Sequence, residues 1–130
     1  MLNDHQILNE SFIGNALDPD SIDLIITSPP YNLGIEYDFH NDNMAEADYV
    51  EFTRAWLAEC YRMLKPDGRI CINVPIDTAK GMKTPIMVHI INLALAIGFQ
   101  YKFTIIWEDN HMSNSNARGS FAMAFKAILS

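Results

Sequence analysis

The chain has 130 residues, of which 49% are hydrophobic, and its 9 Lys and Arg against 16 Asp and Glu give a net charge of −7. This length and apolar content correspond to one domain with enough core to fold, which argues against a disordered chain. The negative charge has the wrong sign for a free-standing nucleic-acid binder, because phosphate contacts require Lys and Arg.

The two cysteines, Cys60 and Cys71, have no metal-ligand spacing, and each lies in an apolar pattern. We interpret them as buried reduced thiols of a cytoplasmic protein, and we predict no metal site. No signal peptide is visible, and the longest apolar helix is too short and too interrupted to span a bilayer. A membrane partner is therefore not expected.

The first predicted elements lead to one apolar strand. His5–Glu10 is a short strand candidate, and Ser11–Asp20 is predicted to form a helical turn and loop that Pro19 closes. The run Ile22–Thr27 is apolar and rich in β-branched residues, which indicates a buried strand of a mostly parallel sheet. We expect the rest of the chain to be organised around this strand.

The strand ends in Ser28-Pro29-Pro30-Tyr31. Neither proline has an N–H for the ladder, so they fix a stiff turn just past the carboxyl end of the strand, where ligands bind in open α/β sheets. If Ser28 and the Pro29 carbonyl accept the hydrogens of an exocyclic amine, its lone pair can be aimed at an electrophilic methyl group. Tyr31 offers a surface on which an extruded base stacks. A Pro-rich turn with no chemistry is the alternative.

A loop and a long helix follow the turn. Asn32–Asn43 mixes glycine, Asn and Asp with apolar side chains, which is typical of a lid, although an ordinary connection fits as well. Asn43 and Glu46 resemble a capping box for a helix over Ala45–Leu64. An apolar stripe on this helix is predicted to be core. Its members are Tyr49, Phe52, Trp56, Cys60 and Met63.

The second half of the chain repeats the alternation of strand and helix. Lys65–Gly68 is predicted to stop the helix and turn the chain into a buried strand, Arg69–Val74, with Asn73 near its end beside the turn. A second helix is expected between Thr84 and Gly98, with His89 on its solvent side. Phe99–Trp107 alternates as a strand does, and a polar loop follows it.

Several of these segments resemble the amino-methyltransferases of DNA, which use S-adenosylmethionine to methylate N4 of cytosine or N6 of adenine. Asp23–Asn32 is similar to their catalytic motif, and Tyr61–Arg69 is similar to their helix–turn–strand signature. Ile105–Trp107 and Arg118-Gly119 also match. The similarity runs from about His5 to Ala122, in the order of the permuted group whose catalytic half precedes the cofactor half.

The resemblance implies a partial Rossmann-like α/β fold, with an incomplete, mostly parallel sheet and flanking helices. Residues 1–122 would be the N-terminal catalytic part of the methyltransferase domain, and residues 123–130 a divergent tail. The implied site residues form three groups. They are Ser28, Pro29, Pro30 and Tyr31 for catalysis, Glu10 and Ser28 for the cofactor, and Tyr31, Asn32, Asn73 and Arg118 for the DNA substrate. For Glu10 and Arg118 a solvated side chain is the alternative, and for Asn73 a structural cap.

The resemblance also implies missing parts. No G-x-G turn of the kind that grips the cofactor is present, and nothing resembles a target-recognition region. Cofactor and double-stranded DNA are therefore expected to bind the complete enzyme, in which a complementary chain could carry the cofactor half. Ser28 favours cytosine N4 over adenine N6. An inert folded remnant is a second hypothesis. A protein glutamine methyltransferase is a third, although that group usually has Asn where Ser28 stands.

Missing strands have a structural consequence. If the strands of the absent half lie among those present, only Ile22–Thr27 and Arg69–Val74 remain direct neighbours. The strands near Gln6–Asn9 and Lys102–Trp107 would then lack partners, and exposed strand edges invite pairing with another chain. We therefore expect a homo-oligomer, with Phe121–Leu129 serving as a makeshift strand or a short helix.

Overall fold

The computed structural model describes residues 4–75, 82–107 and 120–127. Within these ranges, none of the helices has the length and apolar character needed to cross a bilayer. The elements alternate between strand and helix and end in a β-hairpin. In chain order they are β1 (Ile22–Thr27), α1 (Glu46–Met63), β2 (Leu64–Pro75), α2 (Ile86–Ile97), β3 (Phe99–Trp107) and β4 (Ser120–Ala127).

The four strands form one sheet in the order β1-β2-β4-β3. β1 and β2 are adjacent and parallel, with Ile25 beside Ile70 and Thr27 beside Ile72, and α1 joins them. This confirms the predicted parallel strand–helix–strand unit. β4 runs antiparallel to both β2 and β3, so three of the four strands point the same way.

The tail forms β4, which is the strand alternative of the prediction, and it lies between β2 and β3. The expectation that the strand near Lys102–Trp107 lacks a partner is wrong. β3 pairs along its length with β4, from Phe99 opposite Ala127 to Trp107 opposite Ser120, so it does not lack a neighbour. As a strand, the tail forms hydrogen bonds with both β2 and β3, which a helix could not do. These hydrogen bonds favour the strand over the helix.

The predicted strand over Gln6–Asn9 is also wrong. Residues 4–9 have no regular secondary structure, and Ile7 is 95% exposed. No described strand pairs with this segment, and a strand without a partner cannot satisfy its own backbone groups. The chain is held only further along, where the Arg62 guanidinium donates to the Leu17 carbonyl at 2.7 Å and the Ser21 N–H donates to the Met63 carbonyl at 2.9 Å.

Both helices pack on one face of the sheet. Ile70, Ile72 and Val74 of β2 point toward them and are fully buried. The predicted stripe of α1 is confirmed as core, with Phe52 partly buried at its margin. The remaining core members come mainly from α1 and α2. They are Leu57, Leu64, Met82, Ile86, Ile90, Leu93, Ala94 and Phe99.

The opposite face of the sheet has no covering helix among the described residues. Register places Leu24 and Ile26 of β1 on this bare face, together with Phe103 and Ile105 of β3. These four side chains are 51%, 74%, 49% and 58% exposed, respectively. The prediction that β1 is buried is therefore wrong for one of its faces, because the elements that would cover it are not in this part of the chain. Cys71 lies on the same face and is half-buried, whereas Cys60 is buried as predicted.

The start of α1 differs from the predicted capping box. Ala45 precedes the helix and makes no side-chain cap. The Glu46 carboxylate instead accepts hydrogen bonds from the main-chain N–H groups of Lys83 at 3.0 Å and Thr84 at 3.1 Å, and it contacts His89 Nε2 at 2.9 Å. His89 is therefore not solvent-facing as predicted. Glu46 links the start of α1 to the start of α2, where free N–H groups favour a negative charge.

This link predicts a pH-dependent contribution to stability. The N–H of Lys83, followed by His89, lowers the pKa of Glu46 from 4.5 to about 2. The stabilisation is therefore present above pH 4.5 and is lost as the pH falls toward 2. We expect Glu46→Gln to lower the melting temperature at pH 6, and the gap to the wild type to close on acidification to pH 2. Glu51→Gln, which removes an exposed acid of the same helix, should track the wild type at every pH in the same thermal scans. A gap that is independent of pH would contradict the assignment.

Candidate active site

The turn after β1 meets the end of β2 at Asn73. The Tyr31 hydroxyl donates to the main-chain carbonyl of Asn73 at 2.9 Å, and Asn73 Nδ2 donates to Ser28 Oγ at 3.3 Å. Tyr31 is half-buried against the core, whereas Ser28 is exposed. The structure therefore brings together three of the predicted site residues at the carboxyl edge of two parallel strands, where the fold class favours ligand binding.

Two hydrogen-bond acceptors in the turn have free capacity. Ser28 Oγ receives one hydrogen bond from Asn73 and keeps a second lone pair. Among the described residues, none donates to the Pro29 carbonyl, whereas the Pro30 carbonyl accepts a hydrogen bond from the Tyr49 hydroxyl at 3.0 Å. A primary amine has two hydrogens, so the turn presents one acceptor for each of them.

A cleft of about 470 Å³ lies beside the turn. Ser28, Pro29 and Pro30 form one side of it, and Phe52 and Trp56 of α1 contribute apolar surface. Ser11, Phe12 and Ile13 complete the wall from the N-terminal segment. A largely apolar cleft with a few polar groups at one end suits a flat organic group.

Asn32 does not lie where the prediction placed it. Its side chain is 4% exposed and is used inside the protein, where Oδ1 accepts from the Met44 N–H at 2.6 Å and Nδ2 donates to the Met44 carbonyl at 2.9 Å. These contacts argue against a direct bond from Asn32 to a substrate. Its backbone has φ of +57°, a left-handed conformation that Asn tolerates better than most residues.

Two residues near the turn were not singled out by the sequence. Tyr49 was placed in the core for its apolar ring, and its hydroxyl proves to bind the turn. Burial raises the pKa of Tyr49 to about 12, so it remains a hydrogen-bond donor at neutral pH. Asp42 was one of several polar residues in a predicted lid, yet its side chain is fully buried. No periodicity marks such a residue, because its partners are main-chain groups.

The remaining predicted site residues stay untested. Glu10 is exposed and precedes Ser11, which lines the cleft. Arg118 falls outside the described residues. The described residues thus include the turn that is predicted to be catalytic and the start of the cleft wall next to Glu10.

The chain matches the DNA methylase family over residues 22–130. It belongs to that family. Among curated proteins it is 42% identical over 123 residues to the type II methyltransferase M.MjaVI of Methanocaldococcus jannaschii, which covers 95% of this chain and 63% of that protein. It is also 57% identical over 56 residues to M.HpaI of Haemophilus parainfluenzae, covering 43% of this chain and 18% of that protein. The chain therefore spans less than two thirds of the curated relatives it matches.

Solved structures of the family share the fold. PvuII DNA methyltransferase, which is cytosine-N4-specific, superposes with a TM-score of 0.63 at 17% identity, covering 86% of this chain and 44% of that one. A protein from Thermus thermophilus, complexed with S-adenosyl-L-methionine, gives a TM-score of 0.62 at 20% identity over 88% of this chain and 49% of that one. The partial Rossmann-like methyltransferase fold predicted from the sequence is confirmed.

The described residues fit S-adenosylmethionine only in part. The cleft at Ser28 offers apolar surface beside the two acceptors. Within the described part of the chain, the cleft has no turn of closely spaced glycines whose N–H groups could hold the amino-acid end of the cofactor. None of the described residues that line the cleft has an acidic side chain that could bind a ribose. The described part of the chain therefore offers apolar surface and polar acceptors beside the turn, but not a complete cofactor site.

Proposed function

We propose that this chain supplies the catalytic half of a site-specific DNA methyltransferase that modifies an exocyclic amine of a flipped base, with cytosine N4 favoured over adenine N6. The observation that carries the proposal is the pair of acceptors, Ser28 Oγ and the Pro29 carbonyl, that line the cleft in the turn leading to Tyr31. Family membership supports the reaction class. Double-stranded DNA is the proposed substrate.

The turn would work by positioning. An exocyclic amine is a weak nucleophile because its lone pair is delocalised into the ring. When Ser28 and the Pro29 carbonyl each accept one hydrogen, the nitrogen becomes more pyramidal and its lone pair points away from both acceptors. Tyr31 holds the base by stacking once it has left the helix. The attack forms a bond between the amine nitrogen and the methyl carbon while the methyl–sulfur bond of the donor breaks. The electron pair of that bond leaves on the sulfur as a neutral thioether, and the amine then releases one proton to solvent.

S-adenosylmethionine supplies the electrophilic methyl group when it is bound in the complete enzyme. We propose that the chain alone binds it weakly or not at all, with Glu10 and Ser28 contributing what contacts there are. The net charge of −7 also opposes DNA binding by the chain alone. Both deficits are removed if a second polypeptide segment carries the glycine-rich turn and basic surface.

That segment would cover the outer edge of β1 and the bare face of the sheet. Among the described strands, β1 has a neighbour on one side only, so its other edge can accept a further strand. Leu24 and Ile26 would be buried at the same time. Without this complement, we propose that copies of the chain associate through the same surface. The two cysteines fit a cytoplasmic setting for such an assembly.

Complementation tests the proposal. The chain is mixed with the part of M.MjaVI that lies outside the region aligned with it, and transfer of labelled methyl groups to mixed-sequence DNA is measured. We expect no transfer by the chain alone, transfer by the pair, and none by a pair that carries Ser28→Ala. Robust transfer by the chain alone would contradict the view of it as half of an enzyme.

Two other functions give different outcomes in the same assay. An inert folded remnant would leave the pair inactive, although the chain remains folded by circular dichroism. A protein glutamine methyltransferase would label a glutamine-containing peptide and not DNA. Ser28 disfavours this last function, because that group usually has Asn at the position.

A further inference from the structure

The two peptide bonds that flank Tyr31 are each held by a buried side chain. On the N-terminal side, the Pro30 carbonyl accepts a hydrogen bond from the hydroxyl of Tyr49. On the C-terminal side, the N–H of Asn32 donates to Asp42 Oδ1 at 3.0 Å. Because a peptide bond is planar, fixing both planes fixes the φ and ψ angles of Tyr31 between them.

Asp42 accepts hydrogen bonds from the main-chain N–H groups of the segment that follows Tyr31. Its carboxylate accepts from the N–H groups of Asn32, Leu33 and Ile35 at 2.9–3.0 Å, and its own carbonyl accepts from the N–H of Gly34 at 2.7 Å. All four consecutive N–H groups thus end on one residue. The positive φ angles of Asn32 and Gly34 turn these groups toward the carboxylate.

The part of the loop after Ile35 makes no hydrogen bond to the Asp42 carboxylate among the described residues. Glu36 and Asn41 form a single antiparallel bridge beyond it, and the rings of His40 and Phe52 lie 4.8 Å apart, which ties the loop to α1. Phe39, which lies between Glu36 and Asn41 in the sequence, is fully exposed. The loop predicted as a lid is therefore anchored at its base, next to Tyr31, rather than free along its whole length.

We propose that Asp42 and Tyr49 are positioning residues of the methyl-transfer reaction, which set the angle of the Tyr31 ring by fixing the two peptide planes beside it. Neither residue touches the base. The inference rests on the proposed function, because the angle of the ring matters only if a base stacks on it. A small rotation at Tyr31 would displace the amine from Ser28 and the Pro29 carbonyl, and such displacements lower the rate strongly.

The first test uses the chain alone and does not depend on activity. Asp42→Asn replaces one carboxylate oxygen by an NH₂ group, so at least one N–H among residues 32–35 loses its acceptor. We expect the amide hydrogens of Asn32, Leu33 and Ile35 to exchange about tenfold faster, while those in the middle of α1 are unchanged. Asp38→Asn, an exposed acid in the same loop, is the matched control. In Asp42→Ala, formate should restore slow exchange, and sodium chloride at equal ionic strength should not.

The second test uses the complemented enzyme. We expect Asp42→Asn and Tyr49→Phe each to lower kcat by about tenfold, with KM for DNA changed by less than about twofold. In a Tyr31→Ala background neither substitution should lower kcat further, because the ring that they position is absent. A residue that only stabilises the fold would lower activity equally in both backgrounds.

The outcomes separate the two proposals. If the wild-type pair transfers no methyl groups, the proposed function fails, and the exchange experiment alone decides whether Asp42 fixes the turn. If the pair is active, unchanged exchange at Asn32, Leu33 and Ile35 overturns the inference. Equal losses of kcat with and without Tyr31 overturn it as well. Faster exchange combined with losses that require Tyr31 supports it.

Discussion

Replacing Ser28 by Ala is expected to lower methyl transfer by the complemented enzyme by about 10²- to 10³-fold, the usual loss when a preorganised hydrogen-bonding group is removed from a reacting centre. Ser28 Oγ is one of two acceptors in the turn, so the amine would keep only the Pro29 carbonyl. Single-turnover measurements with the complemented enzyme in excess over DNA isolate the chemical step. An alanine variant within about threefold of the wild type would contradict the proposed role.

The hydrogen bond from Asn73 to Ser28 predicts a further effect on methyl transfer. The amide limits rotation of the Ser28 hydroxyl and thereby directs its remaining lone pair. Asn73→Ala should therefore reduce transfer by about tenfold, the value of one hydrogen bond. In a Ser28→Asp background the same change should cost less than about threefold, because a carboxylate has several lone pairs and no proton of its own to direct.

The double-mutant cycle separates positioning from folding. If Asn73 only caps the end of β2, Asn73→Ala lowers methyl transfer by the same factor in both backgrounds. The hydrogen bond from the Tyr31 hydroxyl is kept in both, because its acceptor is the main-chain carbonyl, which alanine retains. Thermal unfolding of each variant provides the control for stability. Equal losses of transfer in the two backgrounds would assign Asn73 a purely structural role.

Tyr31→Ala is the second change with a large expected effect. Stacking of a base on an aromatic ring is worth about 1–3 kcal/mol by alanine substitution, so transfer should fall by roughly 5- to 150-fold. Tyr31→Phe keeps the ring and loses only the hydrogen bond to the Asn73 carbonyl, so a loss below about tenfold is expected. Both variants are assayed on matched duplexes and on duplexes with a mismatched target base.

The mismatched duplex distinguishes base flipping from stacking. A mismatch lowers the cost of extruding the base, but it does not replace the ring on which the base rests. Tyr31→Ala should therefore remain impaired on the mismatched duplex. If the phenylalanine variant were as impaired as the alanine variant, the hydroxyl and not the ring would be the functional part of Tyr31.

Sequence pattern alone predicted the turn after β1 and the elements around it. The apolar run Ile22–Thr27, the double proline after it and the stripe on α1 each have a local cause, either the missing N–H of proline or the 3.6-residue period of a helix. These causes operate within a few residues of the chain. For that reason β1, α1, their parallel partner β2 and the resemblance to DNA methyltransferases could be predicted without coordinates.

Tertiary structure decided the features that depend on a partner distant in sequence. The tail 120–127 is a strand and not a helix because β2 and β3 both have hydrogen-bonding edges to fill, a choice that its own alternation left open. Glu46 binds the N–H groups of Lys83 and Thr84, which precede α2, and the Asn32 side chain binds the main chain of Met44. Asp42 was one polar residue among many until folding placed it below four main-chain N–H groups. In each case the contact joins groups whose positions in the sequence have no periodic relation to each other. Only the folded chain brings these groups within hydrogen-bonding distance.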